Sequence, residues 1–214
     1  IRNSGVAFTG SVSSMTIVDN GNTTRTIDGL SFKSQGDWIV GKSTDDNNVI
    51  LTAGDTADIT AIGKAISIGQ DADSNSNTLT IAGRVMANEI YIGSIDGNEG
   101  NTLHLEATAV FEAAAFRLAP GNFISIEDDY GDFSSLSTYL GETDLQVWTG
   151  MIWETVNAEN HGALFAQNYD ADVDQTLVRA IPEPATVFQL CLGVPLLFRR
   201  RSATKRSRAK SSER

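Results

Sequence analysis

The sequence predicts an all-β protein whose body is a right-handed parallel β-helix, or solenoid, followed by a single C-terminal transmembrane helix and a basic tail. Three observations favour this fold class. Short apolar segments alternate with turn signals along the body. A motif recurs within them at intervals of 21 to 24 residues. An apolar segment followed directly by arginines lies near the C-terminus.

The first 40 residues indicate strands and turns rather than helices. Asn20-Gly21 and Asp28-Gly29 supply turn signals between short apolar groups. No segment before residue 105 shows a capped 3.6-residue periodicity. The predicted strand centres are Val6-Ala7-Phe8, Met15-Thr16-Ile17-Val18, Leu30-Ser31-Phe32 and Trp38-Ile39-Val40.

An internal repeat is clearest between residues 65 and 107. An offset of 24 residues places Ile66-Ser67-Ile68-Gly69 on Ile90-Tyr91-Ile92-Gly93 without a gap. The same offset places Asn77-Thr78-Leu79-Thr80-Ile81 on Asn101-Thr102-Leu103-His104-Leu105. The Asn-x-apolar-x-apolar pattern returns 21 residues later, and a weaker copy is predicted upstream; these are Asn122-Phe123-Ile124-Ser125-Ile126 and Asn48-Val49-Ile50.

This period favours a solenoid over other all-β folds. Two or three short strands with polar turns fit into one coil of a parallel β-helix, and each coil exposes an apolar face that only the next coil can bury. The alternative is an antiparallel β-sandwich, because alternation of apolar and polar residues does not by itself distinguish parallel from antiparallel pairing.

The two-residue period of strands divides the repeat side chains into two sets. Glu112–Leu118 is rich in alanine, but its register in the repeat favours strand over helix. Thr80, Tyr91, His104 and Ser125 are predicted to point outward. The predicted inward set is Ile66, Ile68, Leu79, Ile81, Ile90, Ile92, Leu103, Leu105, Phe116, Leu118, Ile124 and Ile126.

The chain divides into four predicted parts. Solenoid repeats occupy residues 1–126, and a C-terminal cap with a last strand at Leu177–Ala180 occupies residues 127–180. The cap is predicted from apolar, aromatic-rich groups that could cover the open end of a solenoid. Its Trp148 and Trp153 could instead form a sugar-stacking platform. Residues 181–201, which are predicted to contain the transmembrane segment and the arginines after it, and a basic cytoplasmic tail at 202–214 complete the chain.

Charge is divided unevenly along the chain. Residues 199–214 hold eight Lys or Arg and one acid, a net charge of +7, so the remaining 198 residues carry −18. An acidic body repels phosphate backbones, so no nucleic-acid partner is expected. The basic tail follows an apolar segment directly, which points to lipid headgroups or a cytoplasmic anchor.

The body offers few residues for catalysis, and we expect no enzyme activity, cofactor or metal. Cys191 is the only cysteine and lies inside the apolar segment, and His104 and His161 are predicted to be solvated. Asp170-Ala171-Asp172-Val173-Asp174 resembles the start of an EF-hand loop, but Gln175 and Ile181 stand where glycine and glutamate are required.

The C-terminal apolar segment is predicted to enter a membrane. Ala185–Phe198 spans 14 residues, or about 21 Å as a helix, and counting from Ile181 gives 18. The three arginines that follow act as a stop-transfer signal and place the C-terminus in the cytoplasm. The apolar residues assigned to the segment include Ala185, Leu190, Leu192, Leu196, Leu197 and Phe198, and the arginines are Arg199, Arg200 and Arg201.

Ile181-Pro182-Glu183-Pro184-Ala185-Thr186, the apolar segment and Arg199-Arg200-Arg201 together resemble the PEP-CTERM sorting signal of exported bacterial proteins. The resemblance covers about residues 180–201. It implies that exosortase, an integral-membrane cysteine protease-transpeptidase, recognises Pro182, Glu183 and Pro184. The body also resembles the repetitive β-solenoid segments of such proteins and of autotransporter passengers.

The resemblance implies a surface or extracellular-matrix protein that is transiently anchored in the inner membrane. Its body would be structural or adhesive, with exopolysaccharide or a biofilm matrix as a partner. The alternative is a carbohydrate-binding or carbohydrate-degrading β-helix protein at the cell surface. Either function requires a signal peptide ahead of Ile1, which is expected to have been removed or to lie upstream of the given sequence.

Overall fold

The structure, a computed structural model, describes residues 8–10, 14–18, 21–22, 24–27, 31–34, 37–51 and 58–181. The strands are β1 (Phe8–Gly10), β2 (Ser14–Val18), β3 (Thr24–Ile27), β4 (Ser31–Ser34), β5 (Asp37–Val40), β6 (Asn48–Leu51), β7 (Asp58–Ile68), β8 (Thr78–Ile81), β9 (Arg84–Ile92), β10 (Thr102–Leu105), β11 (Val110–Glu112), β12 (Ala115–Leu118), β13 (Phe123–Glu127), β14 (Asp144–Trp148), β15 (Trp153–Thr155), β16 (Phe165–Asp170) and β17 (Gln175–Ala180). The helices are α1 (Phe133–Leu140) and α2 (His161–Leu164).

Successive coils stack in parallel and form two sheets. The first sheet runs β1-β4-β7-β9-β12-β14-β15, and β5 and β11 pair with β7 and β9 beside this path. The second sheet runs β16-β17-β13-β10-β8-β6-β3. The result is a stacked parallel β-solenoid of about four turns. The solenoid prediction is confirmed over the sandwich alternative, while its right-handed sense stays a prediction.

The predicted repeat register is confirmed by the strand pairing. Ile66 pairs with Ile90 and Leu79 pairs with Leu103. Leu103 also pairs with Ile124 on its other side, so each apolar position lies directly above the next. All twelve residues of the predicted inward set are at most 2% exposed. The sequence periodicity therefore located the core correctly.

The predicted upstream copy is wrong in register by one residue. Asn48 pairs with Thr78, so Asn47, and not Asn48, takes the position that Asn77 holds in the next coil. Val49 then pairs with Leu79, which keeps both side chains in the core. The Asn-x-apolar-x-apolar pattern itself favours Asn47, because Val49 and Leu51 lie two and four residues after it, whereas Thr52 lies four residues after Asn48.

The outward positions are less exposed than the two-residue period predicts. Thr80 and Ser125 retain only 9% and 6% exposure. His104, which lies between them in register, contacts Ser125 through its Nδ1 atom at 3.1 Å. In a solenoid, outward side chains stack on the same position of the neighbouring coils, so they cover each other even on the outer face.

The last strands reverse direction. β14 continues the first sheet parallel to β12, whereas β15 returns antiparallel to β14. In the second sheet, β17 runs antiparallel to β13, and β16 runs antiparallel to β17. The predicted strand at Leu177–Ala180 is present within β17. The parallel stacking therefore ends at β13 and β14.

Helix α1 connects the last complete coil to β14. Asp132 caps its N-terminus by accepting a hydrogen bond from the Ser135 backbone N–H at 2.8 Å. Its buried residues Leu136 and Leu140 belong to the same apolar cluster as the coil interior. No helix within the described residues is long and apolar enough to span a membrane.

Candidate functional site

A ladder of buried asparagines runs through the turns that precede the second-sheet strands. The side-chain Nδ2 of Asn47 donates to Oδ1 of Asn77 at 2.8 Å, and the Asn47 backbone N–H donates to the same oxygen. Asn77 repeats both bonds to Asn101, and Asn101 repeats both to Asn122. All four asparagines are 0% exposed. The ladder satisfies polar groups that would otherwise be buried without partners.

Glycines make room for this ladder. Gly69 has a φ of +70°, and a Cβ atom placed there would lie 2.4 Å from the Asn101 side chain. A Cβ atom at Gly93 would clash in the same way with the Asn122 side chain, and one at Gly41 with the Asn77 side chain. Glycine at these turns therefore meets both a backbone and a space requirement. The glycine of the Ile-x-Ile-Gly repeat meets these two requirements. The period of the repeat does not show which asparagine lies against each glycine.

The ladder is a structural element and not a ligand site. Its last member, Asn122, donates to the backbone oxygens of Ala119 and Pro120 in its own turn and of Asn98 in the turn of the neighbouring coil, so its amide hydrogens already have partners. The ladder ends where parallel stacking ends, at β13. Its four buried members fix the register of the coils, because a slip of one residue would leave several amides unpaired.

A polar cluster lies on the outer face of the first sheet. The Arg117 guanidinium forms an ion pair with Glu89 at 2.7 Å and donates to the Tyr91 hydroxyl at 2.8 Å. The Tyr91 hydroxyl in turn donates to the second oxygen of Glu89 at 2.6 Å. The Arg117 and Glu89 side chains are 23% and 22% exposed. The three groups hold one another in fixed orientations.

Two tryptophans extend this cluster. Trp148 and Trp153 are paired across β14 and β15, with ring centroids 5.5 Å apart. The Trp153 ring meets Tyr91 edge-on at 6.0 Å, and the Arg117 guanidinium lies 5.6 Å from the centroid of Trp153. Both indoles are partly exposed. We call Glu89, Tyr91, Arg117, Trp148 and Trp153 the outer-face cluster.

The electrostatics of the outer-face cluster keep Tyr91 neutral. Burial raises the pKa of the Tyr91 hydroxyl, and the hydrogen bond to Glu89 raises this pKa further, while the Arg117 charge acts in the opposite direction. The hydroxyl therefore stays protonated at neutral pH and continues to donate to Glu89. The cluster can offer aromatic edges and a fixed guanidinium to a ligand, but its carboxylate is already engaged.

A serine–histidine contact occurs on the second sheet, but the serine is not activated. His104 Nδ1 lies 3.1 Å from Ser125 Oγ, and Ser125 Oγ donates to Gln175 Oε1 at 3.1 Å. The serine proton is thus directed to an amide oxygen rather than to the imidazole. Activation of a nucleophile requires the opposite arrangement. His104 therefore has a partner in the neighbouring coil. The sequence had predicted a solvated histidine at this position.

The second histidine packs against an aromatic ring. His161 stacks on Phe133 with centroids 4.9 Å apart and an interplanar angle of 12°. The acidic segment Asp170–Asp174 ends β16 and forms its turn to β17, where Asp174 accepts a hydrogen bond from Tyr169 at 2.7 Å. In the part of the chain that the structure describes, no group of three or more His, Cys, Asp or Glu side chains is arranged to hold a metal ion.

The predicted sorting residues lie outside the described residues. This holds for Pro182, Glu183 and Pro184, for the apolar segment that follows them and for Arg199, Arg200 and Arg201. The sites within the body were mostly missed by sequence reasoning. Trp148 and Trp153 were singled out as a candidate pair, but Glu89 and Arg117 were not. The available signal was the alignment of Ile90-Tyr91-Ile92 with Phe116-Arg117-Leu118, which places Tyr91 beside Arg117.

Comparison with known proteins adds no relative. No protein-family model matches the chain, and neither the curated proteins nor the solved structures include a significant match.

Proposed function

We propose that this chain is an exported protein of the cell surface or extracellular matrix. The observation that carries the proposal is the order of three features near the C-terminus: Pro182-Glu183-Pro184, the apolar segment Ala185–Phe198, and Arg199-Arg200-Arg201. In this proposal, exosortase recognises the first feature while the other two hold the chain in the inner membrane with the C-terminus in the cytoplasm.

The proposed role of the body is structural or adhesive. A solenoid of stacked coils with a buried asparagine ladder is a rigid unit that displays its turns and outer faces along its length. Its acidic composition, with a net charge of −18 over residues 1–198, favours solubility.

Two epitope tags test the sorting proposal. One tag follows residue 201 and the other lies between Asp172 and Val173, in the exposed turn after β16. The protein is expressed behind a signal peptide in an exosortase-positive host. We expect the body tag to appear at the cell surface or in the medium and to separate from the tail tag.

The controls are the same host without exosortase and the variant Glu183→Ala. Both should leave the two tags on one polypeptide in the membrane fraction. If the tags stay together in the exosortase-positive host, or separate equally without the enzyme, the sorting proposal is wrong.

A second candidate function is carbohydrate binding at the outer-face cluster. The observation that favours it is the pair of partly exposed indoles beside the fixed Arg117 guanidinium. Sugars stack their C–H faces on such rings and accept hydrogen bonds from arginine. Glycan-array binding that is lost in Trp153→Ala and kept in Tyr169→Ala would support this function, whereas equal binding by both variants would exclude this site.

A further inference from the structure

Strand β11 is an open edge in the first sheet. It pairs with β9 through Val110–Glu112, and no described strand pairs with its other side. The next coil supplies β14, which pairs with β12 at Ala115–Leu118 but does not extend back to β11. Strand β12 is therefore covered by β14, whereas β11 lies at the edge of the sheet.

The backbone N–H and C=O groups of β11 point alternately to the preceding coil and to the open side. The Val110 N–H donates to the Gly83 carbonyl at 3.0 Å, toward the preceding coil. Neighbouring residues of a strand direct their backbone groups to opposite sides, so the Phe111 N–H and C=O face the open side. The open segment ends at Ala113, because the Ala113 carbonyl accepts from Thr143 Oγ1 at 2.8 Å.

A cleft of about 700 Å³ adjoins this edge. It is lined by β11, by residues 139–143 and by the small side chains of Ala87, Ala109 and Ala113. This volume is within the range of about 300–1,000 Å³ that is typical of ligand sites. The Tyr139 hydroxyl, on one wall, is buried and has no hydrogen-bond partner among the described residues.

The rim of the cleft is acidic. Glu112 and Glu142 both line it, and Glu112 is paired with Arg84 at the surface. Glu142 is exposed and forms no ion pair within the part of the chain described by the structure. A basic side chain on an occupant would therefore be favoured next to Glu142.

We propose that this cleft is a docking site for an extended peptide of a partner protein, which adds as a strand to the open edge of β11 and places a Lys or Arg side chain against Glu142. An extended peptide is the ligand whose alternating N–H and C=O groups match a strand edge. Three residues of β11 span about 10 Å, which sets the paired length at three to four residues. This docking is independent of the sorting function proposed above.

The test uses the full chain and synthetic peptides of alternating Thr and Lys. Two control peptides have Glu in place of Lys, or keep Lys and carry N-methyl groups on alternate backbone nitrogens. We expect the Thr-Lys peptide to bind saturably and to slow hydrogen exchange of the Phe111 amide. N-methylation should weaken binding about tenfold, because it removes strand hydrogen bonds without changing charge, and the Glu peptide should bind more weakly still.

Matched charge variants locate the site. Glu142→Lys should weaken binding of the Thr-Lys peptide about fivefold or more, while Glu159→Lys, at an exposed glutamate outside the cleft, should not change it. Equal loss in both variants, equal binding of the N-methylated peptide, or no binding would overturn the proposal. Concentration-dependent protection of Phe111 without peptide would assign the edge to a second copy of the chain and would overturn it as well.

Discussion

The Asn77 side chain donates to Oδ1 of Asn101 at 3.0 Å, although the two residues are 24 positions apart. The Asn77 backbone N–H donates to the same oxygen, also at 3.0 Å. One amide oxygen thus satisfies two buried donors of the neighbouring coil. The Asn77 side chain also donates to Ser74 Oγ and to the Asn75 carbonyl, whereas the Asn77 backbone N–H would be buried without a partner if Asn101 Oδ1 were lost. The stability of the stack should therefore depend on this contact.

Replacement of Asn101 tests the ladder. We expect Asn101→Ala to lower the free energy of unfolding by about 3 kcal/mol, because it removes the acceptor for two buried Asn77 donors. Asn88→Ala, at an exposed asparagine, should change it by less than about 0.5 kcal/mol. Chemical denaturation measures both. Equal effects of the two substitutions would mean that the ladder contributes nothing specific.

Glycine substitutions separate backbone strain from crowding. Gly69 and Gly141 have φ values of +70° and +63°, but only Gly69 has neighbours within 4 Å of an added Cβ. Gly141 combines its positive φ with a ψ of −118°, so Gly141→Ala should cost about 1–3 kcal/mol from the backbone alone. Gly69→Ala should cost clearly more, because Asn101 must also move. Thermal unfolding of the two variants compares them, and a similar loss in both would show that the ladder tolerates the added methyl group.

The two ion pairs on the first sheet should differ in strength. Arg117→Ala is expected to destabilise the protein by about 1–2 kcal/mol, since it removes a half-buried partner of Glu89 and the contacts with Tyr91 and Trp153. Arg84→Ala breaks the more exposed pair with Glu112 and should cost at most about 0.5 kcal/mol. Denaturant midpoints decide the order, and a larger loss for Arg84→Ala would contradict it.

The raised pKa values of two tyrosines, Tyr139 and Tyr169, predict a loss of stability at alkaline pH. Burial raises the pKa of Tyr139, and the hydrogen bond to Asp174 raises the pKa of Tyr169 to about 12. Both folded-state values lie above the usual unfolded value of about 10. Their contribution is therefore fully present below pH 10 and is lost as the pH rises through the folded-state values.

Tyr139→Phe isolates the buried group. It should leave the unfolding free energy at pH 8 unchanged or slightly higher, because the Tyr139 hydroxyl has no partner among the described residues. Above pH 10 the variant should lose stability less steeply than the parent protein. Urea unfolding between pH 8 and 11 gives both quantities, and parallel curves for the two proteins would rule out this role of Tyr139.

Much of the solenoid could be predicted because the alternation and the repeat offset can both be read from short segments of the sequence. Alternation within Ile90-Tyr91-Ile92 assigns the inward side chains, and the 24-residue offset shows which positions stack. The asparagine ladder follows from the same offset once the coils are stacked. The 24-residue offset does not locate the copy at Asn47, because the step from Asn47 to Asn77 is 30 residues. The spacing of Val49 and Leu51 after Asn47 is the sequence signal that does locate it.

The sequence by itself determined the coil pattern and the inward set. The sorting motif at Pro182-Glu183-Pro184 stays a prediction. Only the tertiary structure decided the contacts of Glu89 with Arg117, the antiparallel end of the stack and the open edge of β11. The physical reason is that each coil repeats the same pattern of apolar and polar residues, so its core positions can be identified from the sequence. Lateral contacts and sheet edges depend instead on which strand lies next to each coil. That placement depends on turn lengths and on the path of α1, which carry no period.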